Sequence, residues 1–138
     1  MQTTFTNARI YTGAEVLENA HVTVENGRIT HVGMGDAPAN TTITDLQGRS
    51  IAPAFIDLQV YGGNGKLFNN EPSVETIQAT YDTVRAGGAT HFQITLSCSP
   101  LETMWKAIDA CRDYWQSGGK GLLGLHLEGP YFNPEKRG

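Results

Sequence analysis

The chain has 138 residues, of which 39% are hydrophobic and 17% charged, with a net charge of -4; this is the composition of a globular protein able to bury a core, and it excludes a disordered chain. The negative balance argues against nucleic acid or anionic membrane as a partner. No apolar run approaches the roughly 20 residues of a membrane span, and the start, Met1 to Phe5, lacks the basic and apolar regions of a signal peptide, so a cytoplasmic protein is the expectation.

The first fifty residues read as short strands. Phe5 to Tyr11, Ala20 to Glu25 and Arg28 to Gly33 are rich in β-branched residues and separated by turn residues. Asn26-Gly27 favours positive φ at both central positions of a type I′ turn, which predicts a hairpin pairing Val22 and Val24 with Ile29 and His31 or Val32. His21 and His31 read as surface or rim residues, since no carboxylate is spaced to complete a ligand set with them. A polar loop over 36–42 leads to one more strand, Thr42 to Leu46, closed by Gln47-Gly48.

After Gly48 the pattern changes. Ile51 to Tyr61 is a mostly apolar run with Pro53 near its start, followed by the glycine-rich loop Gly62 to Gly65. From Pro72 to Ala86, Val74, Ile77, Tyr81 and Val84 recur at helical spacing, with Asn70 or Ser73 as cap, Glu71 and Glu75 in the first turn, and Gly87-Gly88 as the stop. Thr90 to Leu96 reads as a buried strand. Pro100 then opens a second helix at its first helical position, with Leu101, Met104, Ile108, Cys111 and Trp115 along one face. Cys98 and Cys111 have no metal or disulfide spacing and read as buried free thiols. Gly121 to Leu127 forms a third strand that Gly129-Pro130 must stop.

The succession from residue 51 is strand, helix, strand, helix, strand: a parallel α/β arrangement behind a small antiparallel β region. Such proteins place functional groups at the C-terminal ends of their strands. Those ends carry Gln59 and Tyr61, Thr95 and Ser97, and His126 and Glu128. Alternation along the strand projects His126 and Glu128 to one face, a possible metal or acid/base wall, although a glutamate at a strand tip also fits a solvated turn residue. Three strands cannot close a barrel of eight, which normally takes about 250 residues, so the chain reads as the front part of a longer protein. A complete three-stranded domain would leave long apolar edges open.

Three segments carry a resemblance. They are Asn7 to Gly13 with Val24 to Ile29, then Pro53 to Gln59, and above all Gly124-Leu-His-Leu-Glu-Gly-Pro130 running into Asn133 to Gly138. With these the sequence resembles the amidohydrolase superfamily and, within it, the N-acetylglucosamine-6-phosphate deacetylases. The resemblance implies that residues 1–50 are the N-terminal part of a small antiparallel β-sandwich, and that 51–138 are the first βα units and third strand of a (β/α)8 TIM-type barrel. It implies hydrolysis of the acetamide of N-acetylglucosamine 6-phosphate with one divalent metal ion, zinc or similar, bound by Glu128. His126, Gln59 and Tyr61 would be supporting residues, and no substrate-binding residue is assigned. The catalytic aspartate and two metal-binding histidines would lie beyond residue 138, so no catalytic residue is expected within the chain and the isolated chain is expected to be inactive. A cytoplasmic homo-oligomer, commonly a dimer, is implied as well.

Many amidohydrolases carry His-x-His at the end of the first strand, where this chain has Gln59-Val60-Tyr61. A phenol with a pKa near 10 is a poor ligand at neutral pH, so a two-metal site is not expected. The same feature counts against the alternative of a dihydropyrimidinase-like enzyme. A non-catalytic α/β binding or interaction domain is the other alternative.

Overall fold

A computed structural model of the chain describes residues 2–136. The backbone forms two compact units, Met1–Pro53 and Ala54–Gly138.

The first unit is a sheet centred on β1 (Gln2–Tyr11), with β2 (Val16–Glu25) and β3 (Arg28–Met34) to one side in the order β3-β2-β1. On the other side of β1 lie β4 (Thr42–Asp45) and β5 (Ser50–Ile51), both parallel to it. Asn26 and Gly27 adopt φ of 51° and 76°, as a type I′ turn requires. The hairpin they close pairs Val22 with Val32 and Val24 with Ile29, the predicted partners, with an irregularity between Thr23 and Val24. Ala8, Ile10, Ala20 and Val22 form the core of one face.

His21 is not at the rim. It is only 2% exposed, stacks on His31 with ring centroids 5.2 Å apart, and neither ring nitrogen has a hydrogen-bond partner among the described residues. Alternation puts it with Thr23 on the face away from Val22, and that face is buried too: Thr4 and Thr23 are fully covered and bond to each other through their hydroxyls at 3.0 Å. A strand reading that assigns one face to solvent misplaces His21 for this reason.

The run from Ile51 to Tyr61 is split by Pro53, which offers no N–H to a ladder. Ile51 ends the first sheet, and β6 (Phe55–Val60) begins the second. The glycine-rich loop is itself a small hairpin, β7 (Gly62–Gly63) and β8 (Lys66–Leu67), turned by Asn64-Gly65. α1 (Val74–Ala86), β9 (Ala89–Ser97), α2 (Leu101–Gln116) and β10 (Leu122–Glu128) follow, and the three long strands form a parallel sheet in the order β10-β9-β6. A short 3-10 turn over Pro134–Lys136 ends the described chain.

Of the two candidate caps, Ser73 takes the place: its side chain accepts from the Thr76 N–H at 3.2 Å. Glu75 lies in the first turn, whereas Glu71 precedes the helix and pairs with Lys66 at 3.3 Å. Replacing Ser73 by alanine strands one helix-end N–H and is expected to destabilise the protein by about 1 kcal/mol, seen as a lower denaturant midpoint with an unchanged slope.

α2 corrects two expectations. Pro100 is the N-cap, extended at ψ 150°, and its carbonyl accepts from Thr103 and Met104. The face turned to the sheet carries Ala107, Ala110, Cys111 and Tyr114, with Met104 packed against them, while Leu101 is 65%, Ile108 37% and Trp115 47% exposed. The small alanines let the helix approach the sheet closely. Tyr114 is held by its phenol, which donates to Lys120 O at 2.9 Å. The expected stripe is right at Met104 and Cys111 and wrong at Leu101, Ile108 and Trp115, because α2 has apolar residues on more than one side. Cys111 is buried and its thiol is pushed up to about 12 by burial, whereas Cys98 is exposed rather than buried.

Candidate functional site

The C-terminal ends of the three parallel strands hold the polar residues, and their arrangement starts from an irregularity in β6. Asp57 faces Phe92 and Val60 faces Ile94, so three steps along β6 match two along β9. This is a bulge at Leu58 and Gln59. The ladder is irregular there, and His126 Nδ1 lies 3.0 Å from the Leu58 carbonyl oxygen. A carbonyl only accepts, so Nδ1 carries the proton and Nε2 of the neutral ring keeps its lone pair.

On β10, His126 and Glu128 pair with Thr95 and Ser97 of β9. Leu125 packs on the core beside Ile94, so His126 and Glu128 face the other way, as alternation predicts. Gln59 and Tyr61 flank core-facing Val60 and look to that same side. Across the middle strand the two ends meet. Gln59 Nε2 donates to the Tyr61 hydroxyl at 2.8 Å, and the Tyr61 hydroxyl donates to Glu128 Oε2. The carboxylate accepting this bond holds the phenol above its ordinary pKa, desolvation adds to the shift, and the Gln59 bond opposes it.

Beside this lies a second cluster. Asn69 Oδ1 accepts from the Ser97 backbone N–H and hydroxyl at 3.2 and 3.3 Å, and Asn69 Nδ2 donates to Ser99 Oγ at 3.3 Å. Thr95, between the two arms, is fully buried and its hydroxyl has no partner among the described residues. Gly129 ends the strand at φ 50°, and a Cβ there would come within 2.7 Å of the Phe132 ring, so the close fold-back after Glu128 favours glycine.

The structure therefore brings together Gln59, Tyr61, His126 and Glu128, all singled out from the sequence, and adds Asn69, Ser99 and the Leu58 carbonyl. Asn69 had a weak signal, an asparagine pair before a helix. A backbone carbonyl exposed by a bulge has none. Of the segment after Glu128, Arg137 and Gly138 lie outside the described residues.

As a place for a divalent ion the donor set fits in part. Glu128 offers a carboxylate oxygen and His126 a free Nε2, but among the described residues no three His, Cys, Asp or Glu side chains converge. Catalytic zinc normally takes three protein ligands, so the described strand ends by themselves fall short of such a site. No helix among the described residues is long and apolar enough to cross a membrane.

Residues 4–51 match the family model described as the NagA composite domain. The chain is 38% identical to an N-acetylglucosamine-6-phosphate deacetylase of Haemophilus influenzae over 96% of its own length and 35% of that protein. It is 29% identical to an N-acetylgalactosamine-6-phosphate deacetylase of a Shewanella strain, over 95% of itself and 34% of the relative. The solved N-acetylglucosamine-6-phosphate deacetylase of Pasteurella multocida superposes with a TM-score of 0.89 at 37% identity, over the whole chain and 37% of that structure. The chain thus spans about a third of the length of the curated relatives it matches.

Proposed function

We infer that this chain is the N-terminal portion of an N-acetylglucosamine-6-phosphate deacetylase of the amidohydrolase superfamily, and that the whole enzyme hydrolyses the acetamide of that sugar phosphate to glucosamine 6-phosphate and acetate. Its first unit is then the N-terminal part of the β-sandwich, and its second the opening βα units and third strand of the (β/α)8 barrel. The observation that carries this reading is Glu128, placed at the tip of β10 in the His126-to-Pro130 segment and held there by Tyr61, in a chain similar throughout to such deacetylases.

In this reading Glu128 is a metal ligand. The bound ion, zinc or a similar divalent cation, supplies Lewis-acid polarisation of the acetamide carbonyl and activation of water. This chain's own residues build one wall for it. Glu128 brings negative charge to the strand ends, Tyr61 and Gln59 fix its carboxylate, and His126, its Nδ1 tied to the Leu58 carbonyl, presents Nε2 as a supporting contact. Two further ligand histidines and the aspartate that moves the proton to the leaving amine come from later strands. A single ion is expected, because Gln59 and Tyr61 stand where a second would need histidines. The same reading carries a cytoplasmic homo-oligomer.

The test is a deacetylation assay on a protein that continues past residue 138, with chelator treatment and metal add-back. Acetate release from N-acetylglucosamine 6-phosphate, lost with chelator and restored by metal, is the expected result. Metal-independent turnover, no turnover, or strong preference for the galactosamine epimer would each overturn it.

A further inference from the structure

Tyr61 stands just past β6, where the proposed enzyme class often has a second histidine ligand, and its phenol is bonded on both sides. The Gln59 amide nitrogen donates to the phenol oxygen at 2.8 Å. The phenol proton therefore goes to the other neighbour, Glu128 Oε2. An ionised carboxylate accepts only, at two oxygens. One of the two is taken by Tyr61, and no hydrogen bond reaches Oε1 among the described residues.

The contact is long in sequence and crosses a strand. β6 and β10 are both neighbours of β9 and not of each other, so the two side chains span about 9.5 Å of sheet. A carboxylate on a strand tip with several rotamers open to it is thereby confined to one.

The geometry points to Tyr61 as a positioning residue, which fixes the Glu128 carboxylate so that it offers one oxygen, Oε1, to a single metal ion. Gln59 acts through Tyr61 by filling the phenol's lone pair and aiming its proton. This rests on the reading of Glu128 as a metal ligand. A ligating carboxylate held by a hydrogen bond is both oriented and restrained, and loss of such outer partners typically weakens metal binding about 10–100-fold.

The experiment uses the protein continued past residue 138, stripped of metal and titrated with zinc against a chromogenic chelator. Tyr61→Phe keeps the ring and removes only the hydroxyl. It is expected to raise the zinc Kd about 10–100-fold while leaving the saturating ratio at one ion per chain. Gln59→Leu is expected to raise it in the same direction by less, and carries the test if Tyr61→Phe does not fold. A purely structural tyrosine would lower Tm and leave the zinc Kd unmoved. Zinc affinity within twofold of wild type in both variants, together with loss of zinc in Glu128→Gln, overturns the positioning role and leaves the ligand reading standing. Wild-type zinc affinity in Glu128→Gln overturns both.

Discussion

In the longer enzyme, Glu128→Gln is expected to lose zinc and activity together, with metal affinity falling by about 100-fold or more. Partners one step removed from a metal are already worth about 10–100-fold, and in the proposed reading this change removes the charge from a ligand itself. The amide keeps the side chain's shape, and its carbonyl oxygen still accepts from Tyr61, so the bridge across β9 and the fold survive. Metal analysis of the purified variant decides the matter. Full zinc occupancy with activity lost would make Glu128 a proton-transfer group, and full occupancy with activity kept would remove it from the site.

Residues 1–138 produced alone are expected to show no deacetylase activity and to self-associate at micromolar concentration. Among the described residues, one carboxylate and one imidazole nitrogen at the strand ends are available to a metal that needs about three ligands. Among the described residues, the sheet of the second unit ends in two edge strands, β6 and β10. Phe55, Ile56 and Leu58 on one and Leu123 and Leu127 on the other are exposed. Each such side chain stabilises an assembly by about 1.5–3 kcal/mol when fully buried, and an open apolar edge offers a ladder to any second copy. Light scattering and gel filtration, with the assay run on the same sample, test both halves. A stable monomer that turns over substrate would contradict the expectation.

What could be read from the residues followed local rules. The hairpin came from one Asn-Gly pair and its flanking valines, the start of α1 from two candidate caps of which Ser73 is the one used, and the end of β10 from Gly129-Pro130. Each is a signal contained within a few residues. The misplacements are tertiary. His21 sits on a strand face that alternation gives to solvent, yet that face is covered. The buried stripe of α2 is set by small residues and by one tyrosine with backbone partners, which a count of large apolar residues does not weigh. At the site, the sequence put Gln59, Tyr61, His126 and Glu128 at strand ends. It did not foresee that Tyr61 would reach Glu128 over an intervening strand, which depends on the order of the strands in the sheet, or that His126 would find the Leu58 carbonyl, at an irregularity of β6 that has no sequence signal.

The bridge from Tyr61 to Glu128 also has a place in time. The two residues are 67 positions apart, and at a synthesis rate of about 5–20 residues per second several seconds separate their emergence from the ribosome. Helices and hairpins form in microseconds, so β6, the Asn64-Gly65 hairpin and α1 have long since been sampled when β10 arrives. The wall around Glu128 is then closed by the last strand of this stretch, once that strand has emerged. In the proposed enzyme, the metal would meet one corner already set, and each later ligand would join a carboxylate that is waiting in place.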